Sequence, residues 1–214
     1  NPLLLTPIIM KKLLLLSCMC AVTLSSMAQW QRTPTPNDTL QPVRITANGD
    51  AVFSIYAPKA RKVALMGDIV PWTNPPKGVE QNGVWSFTIP KPVEGVYRYY
   101  FMVDGVKVSD PKRTNTSGNE ALAVITPTGD KFFSYRPNIP HGAIATRSYW
   151  SKTLNQPRTM RVWTPAGYEK STEKLPVLYL IHGGGDNDSS WPTVGCAGEI
   201  LDNLMAEGKI KPMV

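Results

Sequence analysis

Cysteine is scarce in this chain. The 214 residues hold three, Cys18, Cys20 and Cys196. The first two fall in an N-terminal apolar stretch, so Cys196 stands alone beyond it and no intrachain disulfide can form there. Histidine is scarcer still, with only His141 and His182. Far apart in sequence, and without clustered cysteines or carboxylates, they offer no readable metal site, and no cofactor is expected. The formal net charge is +7, and without Lys11 and Lys12 there remain 21 basic and 16 acidic residues. This modest excess is scattered, and no basic run is interleaved with aromatics, so nucleic acid is not an expected partner. No apolar run is long enough to span a membrane. The pattern Gly-x-Ser-x-Gly, a strand-to-helix elbow that exposes a serine, occurs nowhere.

What is present begins with a leader. Met10-Lys11-Lys12 is a short positive region, Leu13 to Leu24 a mostly apolar core, and Ser26-Met27-Ala28 a small-x-small cleavage site. Together they predict a secretory signal peptide over Met10–Ala28, with Gln29 as the first mature residue, and hence a secreted or periplasmic protein. Residues 1–9 read as an upstream extension. Leu15-Leu16-Ser17-Cys18 has the outline of a lipoprotein box but almost no apolar core before it, which disfavours lipidation.

Residues 29–42 are polar and proline-rich and read as a linker. From Val43 to about residue 127 short alternating runs take over. Asn48-Gly49, Asn82-Gly83 and Asp104-Gly105 fall between such runs, and Asx-Gly pairs suit tight hairpin turns. In Val84–Ile89, Trp85, Phe87 and Ile89 share one face. These features predict an immunoglobulin-like β-sandwich over 43–127. A second linker spans 128–142. Beyond it, Ala143–Lys152 and Arg158–Thr164 read as strands joined at Leu154-Asn155-Gln156. Val177–Ile181 reads as a buried strand. A helix is expected from Thr193 to Glu207, with Ala197, Ile200, Leu201, Leu204 and Met205 on one face and Gly208 as its stop. Lys209–Val214 reads as the lead-in to another strand. This order is how an α/β sheet begins, and 143–214 reads as the incomplete start of one.

The chemistry concentrates at His182-Gly183-Gly184-Gly185. An apolar strand ending in glycines lets the backbone come close to a ligand with its N–H groups turned toward it. Gly183, Gly184 and Gly185 are therefore candidate oxyanion donors, a role in which one donor supplies roughly 3–4 kcal/mol of transition-state stabilisation. A plain glycine turn is the bland alternative. His182, before the glycines, is read as shaping the loop; His141, in a proline-rich connector, as structural or exposed. Asp186 and Asp188 read as solvated turn or helix-capping residues, and Cys196 as a small buried residue. Trp72, in Pro-Trp-Thr-Asn-Pro-Pro, and Trp85 are candidates for stacking on sugar rings, with core packing the alternative for Trp72 and the favoured reading for Trp85.

From Arg136 to Val214 the sequence resembles the start of the esterase family that includes enterochelin-type esterases, S-formylglutathione hydrolases and carbohydrate esterase family 1. The matching stretches are Tyr149-Trp150-Ser151-Lys152, Arg161 to Tyr168, Pro176 to Gly185 and Trp191 to Pro212. Residues 43–126 resemble the early-set sandwich related to family-48 carbohydrate-binding modules. That likeness is carried by Gly83-Val84-Trp85, Gly95-Val96-Tyr97-Arg98-Tyr99, Val103-Asp104-Gly105 and Ser109-Asp110-Pro111.

The resemblance implies an α/β-hydrolase start and a secreted serine carboxylic-ester hydrolase acting on feruloyl or acetyl xylan. A polysaccharide or acylated oligosaccharide would be its partner. It also implies that the Ser, Asp and His of the triad lie beyond the region corresponding to Val214, so this chain itself is expected to be inactive. Two other readings stay open: a non-catalytic glycan-binding module, and an enterochelin-type siderophore esterase.

Overall fold

A computed structural model describes residues 33–112, 115–126 and 129–214. Residues 36–214 cluster as one compact unit. The leader expected at Met10–Ala28 and the first part of the linker lie outside the described residues. No described helix is long and apolar enough to cross a membrane.

The sandwich forms as the alternation dictates. Its strands are β1 (Val43–Ile45), β2 (Ala51–Tyr56), β3 (Val63–Gly67), β4 (Val79–Gln81), β5 (Val84–Ile89), β6 (Gly95–Val103), β7 (Val106–Val108), β8 (Thr116–Ser117) and β9 (Glu120–Ile125). One sheet has the order β1-β2-β5-β4, the other β3-β6-β9-β8 with β7 paired to β6, and every pairing is antiparallel. In β2 every second residue is buried: Ala51, Phe53 and Ile55. They meet Leu65, Phe87, Tyr99 and Phe101 in one apolar core between the sheets. Phe53 stands edge-on to Tyr99 at 5.0 Å, and Phe87 lies 6.1 Å from Phe101. These aromatics are among the largest fully buried side chains, and truncating such a ring costs about 3–5 kcal/mol.

Two of the three Asx-Gly pairs make the expected two-residue turns. Asn82 and Gly83 have φ of 53° and 81°, Asp104 and Gly105 of 48° and 86°. Gln81 faces Val84 and Val103 faces Val106 across them. Asn48-Gly49 differs. It lies in a five-residue loop between Ile45 and Ala51, closed by the Thr46 N–H on Asp50 O at 2.9 Å, and only Gly49 of the pair has positive φ.

A carboxylate sits inside the sandwich. Asp110 is 1% exposed; it accepts the Tyr99 hydroxyl and, at 2.7 Å, the Lys112 N–H. Burial, and then this carboxylate, push the Tyr99 phenol far above its ordinary range, so it remains a donor. Ahead of β1, Asn37 pairs with the end of β2 that β1 does not reach. Its amide donates to Tyr56 O at 3.2 Å, and its carbonyl accepts the Tyr56 N–H at 2.9 Å.

The second part opens with a long hairpin, β10 (Ala143–Ser151) and β11 (Gln156–Thr164), paired from Ala143–Thr164 to Ser151–Gln156. The turn is Lys152 to Asn155, with Asn155 at φ 48°, so the second strand starts two residues earlier than expected. Helix α1 is Ala197–Ala206, four residues shorter at its start than the periodicity predicts. Cys196 stands before it at φ 48° and Gly195 is wedged on Trp191, so 193–196 coils instead of continuing the helix. Its fully buried positions are Gly198, Asp202 and Asn203, while the apolar face expected from the sequence is only half-buried.

Val177–Ile181, expected as a strand, is extended but joins no sheet among the described residues. A strand needs a backbone neighbour, and among the described residues this segment has one only at Val214. The Val214 N–H donates to Pro176 O at 2.9 Å and its carbonyl accepts the Leu178 N–H at 2.8 Å, the pattern of a parallel pair. Tyr179 and Ile181 are more than four-fifths exposed as a result.

Gly67 ends β3 at φ 128°, where a Cβ would come within 2.2 Å of Arg98 O. Gly67→Ala should therefore lower stability by more than about 2 kcal/mol. Gly105→Ala, at φ 86° in open space, should cost about 1 kcal/mol. Urea titration of the two variants measures the difference, and equal midpoints would remove the steric reading of Gly67.

Candidate functional site

The site is assembled on the chain that follows the extended segment. Gly183, Gly184 and Gly185 are exposed, and a Cβ on any of them would meet nothing within 4 Å. Only Gly185 requires glycine by its backbone, at φ 83°. The Asp186 N–H closes the turn on Gly183 O at 3.3 Å. Among the described residues no acceptor takes the N–H of any of the three glycines. The half-buried His182 has Nδ1 2.9 Å from Gly183 O. A carbonyl only accepts, so Nδ1 carries the proton, and the ring braces the turn it precedes. No carboxylate hydrogen-bonds to His182 among the described residues.

The next eleven residues are held from three sides. Arg98 on β6 donates through Nη2 to Asp186 Oδ1 at 2.8 Å. Arg161 on β11 donates through Nε to Asp188 Oδ2 at 3.3 Å. Ser117 Oγ lies 3.0 Å from Thr193 Oγ1. Asp186 and Asp188, read from sequence as solvated or capping residues, are instead ion-paired to two different elements. Trp191 donates its indole N–H to Ile181 O at 3.1 Å, tying this loop back to the extended segment.

A second polar centre lies on α1. Asp202 accepts from the Gly142 N–H at 2.9 Å and the Trp163 indole at 3.2 Å, and lies 3.0 Å from His141 Nδ1. His141 Nε2 is 3.0 Å from Arg136 O, and its ring stacks on Tyr135 at 4.6 Å. Both ring nitrogens thus face acceptors, which places His141 in a structural clasp. The neighbouring Asn203 donates to Phe132 O and Ser134 O at 2.9 and 3.0 Å. The stretch read as a linker is therefore stitched to the helix. Sequence reasoning missed these two residues because they interrupt the apolar periodicity; a polar pair inside an otherwise amphipathic helix was the available signal.

A cavity of about 860 Å³ lies between β11 and the extended segment. Met160, Trp163, Leu178, Leu180, Leu201 and Val214 are among the residues that line it. Its wall includes His182 and Asn187, which flank the glycine turn in sequence, but none of the three glycines. Its apolar walls and the unpaired backbone beside it have the character of a fold interior. The glycine turn stands apart from this lining, exposed to solvent.

The two tryptophans differ. Trp72 is fully exposed in its proline-rich loop. Trp85 is half-buried against the sandwich core, and its indole N–H donates to Ala57 O at 3.2 Å. Cys196 is half-buried, and burial, followed by Glu199 and Asp130, pushes its thiol up to about 11. The thiolate is therefore scarce at neutral pH, which disfavours Cys196 as a nucleophile.

Two family models match the chain: "Carbohydrate-binding module 48 (Isoamylase N-terminal domain)" over residues 41–117 and "Putative esterase" over 151–214. The chain is similar to an endo-1,4-beta-xylanase/feruloyl esterase of Xylanibacter ruminicola, 36% identical over 191 residues, 84% of this chain and 26% of that protein. Among solved structures it is similar to the enterobactin esterase FES from Shigella flexneri, with TM-score 0.52 and 15% identity over 79% of this chain and 52% of that one. The ferric enterobactin esterase of Salmonella typhimurium gives TM-score 0.51 and 13% identity over 80% and 54%. At such identities the likeness is one of fold. The chain spans about a quarter of the curated relative and about half of these esterase structures. The architecture is a sandwich followed by a partial esterase-like domain.

Alkylation of Cys196 by iodoacetamide at pH 8, followed on its own peptide, should be about a hundredfold slower than that of a free thiol of ordinary pKa. Labelling at the free-thiol rate would contradict the burial of its sulfur.

Proposed function

We propose that this chain, in which a module like carbohydrate-binding module 48 precedes an esterase-family segment, is the N-terminal part of a secreted serine esterase. Its substrates are feruloyl or acetyl esters on xylan. The observation that carries the reading is the 36% identity, over most of the chain, to a protein named xylanase/feruloyl esterase. The unspent N–H groups of Gly183, Gly184 and Gly185 support it chemically. In this mechanism a serine oxygen attacks the ester carbon while a histidine, oriented by an aspartate, takes the serine proton. The carbonyl oxygen becomes an oxyanion and is held by glycine N–H groups. The sugar alcohol leaves with the proton returned by the histidine, and water then releases the acid from the acyl-enzyme. The serine, aspartate and histidine are assigned to sequence beyond Val214, since no Gly-x-Ser-x-Gly occurs in the chain.

The sandwich presents the substrate polymer, with Trp72 as the stacking face, since its ring is free where Trp85 is packed. A second reading, a siderophore ester as substrate, draws on the fold shared with the enterobactin esterases. A glycan-binding module without chemistry is the third.

The chain alone should not turn over p-nitrophenyl acetate above a heat-treated control; serine-inhibitor-sensitive turnover would overturn the assignment of the triad. A longer protein carrying this chain should hydrolyse methyl ferulate or acetylated xylan and leave enterobactin intact. The opposite preference would favour the siderophore reading, and no ester hydrolysis the binding module. Trp72→Ala should weaken retention on insoluble xylan severalfold, since stacking contributes about 1 kcal/mol. Unchanged retention would remove Trp72 from the glycan surface.

A further inference from the structure

The glycine turn is clamped by the sandwich, across the gap between the two family matches. Arg98 lies within the residues matched to the binding module and Asp186 within those matched to the esterase. The Arg98 side chain is 18% exposed, so its guanidinium needs acceptors inside the protein. It has three. Nε donates to Ser117 Oγ at 3.1 Å, Nη2 to Asp186 Oδ1 at 2.8 Å, and Nη1 lies 3.7 Å from Asp68 Oδ2.

Asp68 is itself fixed to β6. Its N–H donates to Arg98 O at 2.9 Å, and its carboxylate accepts the Arg98 N–H at 3.3 Å. The arginine is thus aimed from a rigid strand, with Asp68 on one side and Asp186 on the other. Ser117, 6% exposed, extends the same contact to Thr193, whose hydroxyl donates to Ser189 O at 2.6 Å. Both ends of the loop after the glycines are therefore held by the sandwich. Asp186 is also the residue whose N–H closes the turn on Gly183.

Resting on the esterase reading, we propose that Arg98 and Ser117 are positioning residues for the oxyanion turn. By holding Asp186 and Thr193 they fix the direction of the N–H groups of Gly183, Gly184 and Gly185. The sandwich then has a second task beside glycan presentation. It supplies the rigidity that three glycines lack, because a donor set lowers a barrier only if it is already oriented when charge develops.

Two measurements test this. In the chain itself, hydrogen exchange is followed at the hydrogen-bonded amides of Asp186, Ser190, Thr193 and Gly195 in Arg98→Ala and in Asp186→Asn. Exchange at these amides should rise about tenfold in both variants, while the β2, β5 and β6 amides keep their protection. Asp186→Asn changes only the loop side, so it answers even if Arg98→Ala unfolds the sandwich. Unchanged loop exchange in Asp186→Asn would overturn the clamp. In the longer, triad-bearing protein, Arg98→Ala should lower kcat at least tenfold on methyl ferulate with KM changed less than twofold. A small substrate that does not reach the glycan surface isolates positioning from polymer binding. A loss confined to KM would overturn the positioning role. If no ester is turned over by any longer form, the esterase reading fails, and the exchange result still decides whether the loop is clamped.

Discussion

Three consecutive glycines have no side chains with which to anchor themselves, so the shape of the turn at 183–185 must be imposed from its flanks. This constraint organises the second part of the molecule. On the N-terminal flank, His182 braces the first glycine carbonyl and Trp191 ties the extended segment to the loop. On the C-terminal flank, Asp186 and Asp188 are held by arginines from two different sheets. The two carboxylate contacts are charge-assisted, and the Arg98 guanidinium, 18% exposed, is the most enclosed of these donors. The glycines are left with open space around them and unspent N–H groups. Flanks held by contacts and a bare centre are what the proposed oxyanion role requires.

The helix that follows is fixed by polar chemistry. Asp202 gathers Gly142, Trp163 and His141, and Asn203 gathers the carbonyls of Phe132 and Ser134. Connector, hairpin and helix therefore meet at two adjacent side chains. A buried carboxylate with three partners is costly to disturb, since each donor left behind would be unsatisfied. The apolar face of the same helix borders the cavity beside Val177–Ile181. Apolar burial is thus incomplete where polar pairing is complete. The extended segment shows the same limit: its sequence has the composition of a central strand, yet among the described residues the one backbone partner of its backbone is Val214.

The sequence made local features legible and left distant pairings hidden. Asn82-Gly83 and Asp104-Gly105 announced their hairpins because turn chemistry is local. The alternation of Trp85, Phe87 and Ile89 announced a buried face for the same reason. Val177–Ile181 was read as a strand from composition, and composition does not supply a partner. The glycine turn was found, but its supports were not. Arg98 and Asp186 are 88 residues apart, and nothing in the neighbourhood of either marks the other. Asp202 and Asn203 were passed over because helical periodicity counts apolar residues and discards polar ones.

The central claim is that the glycine N–H groups are oriented before any substrate arrives. Backbone 15N relaxation of the protein in solution measures this most directly, through the order parameters of Gly183, Gly184 and Gly185. The account predicts values near about 0.85, those of rigid backbone, despite the absence of side chains and of internal hydrogen bonds from these amides. Values below about 0.6 at all three would describe a turn free on the nanosecond timescale, and would contradict it.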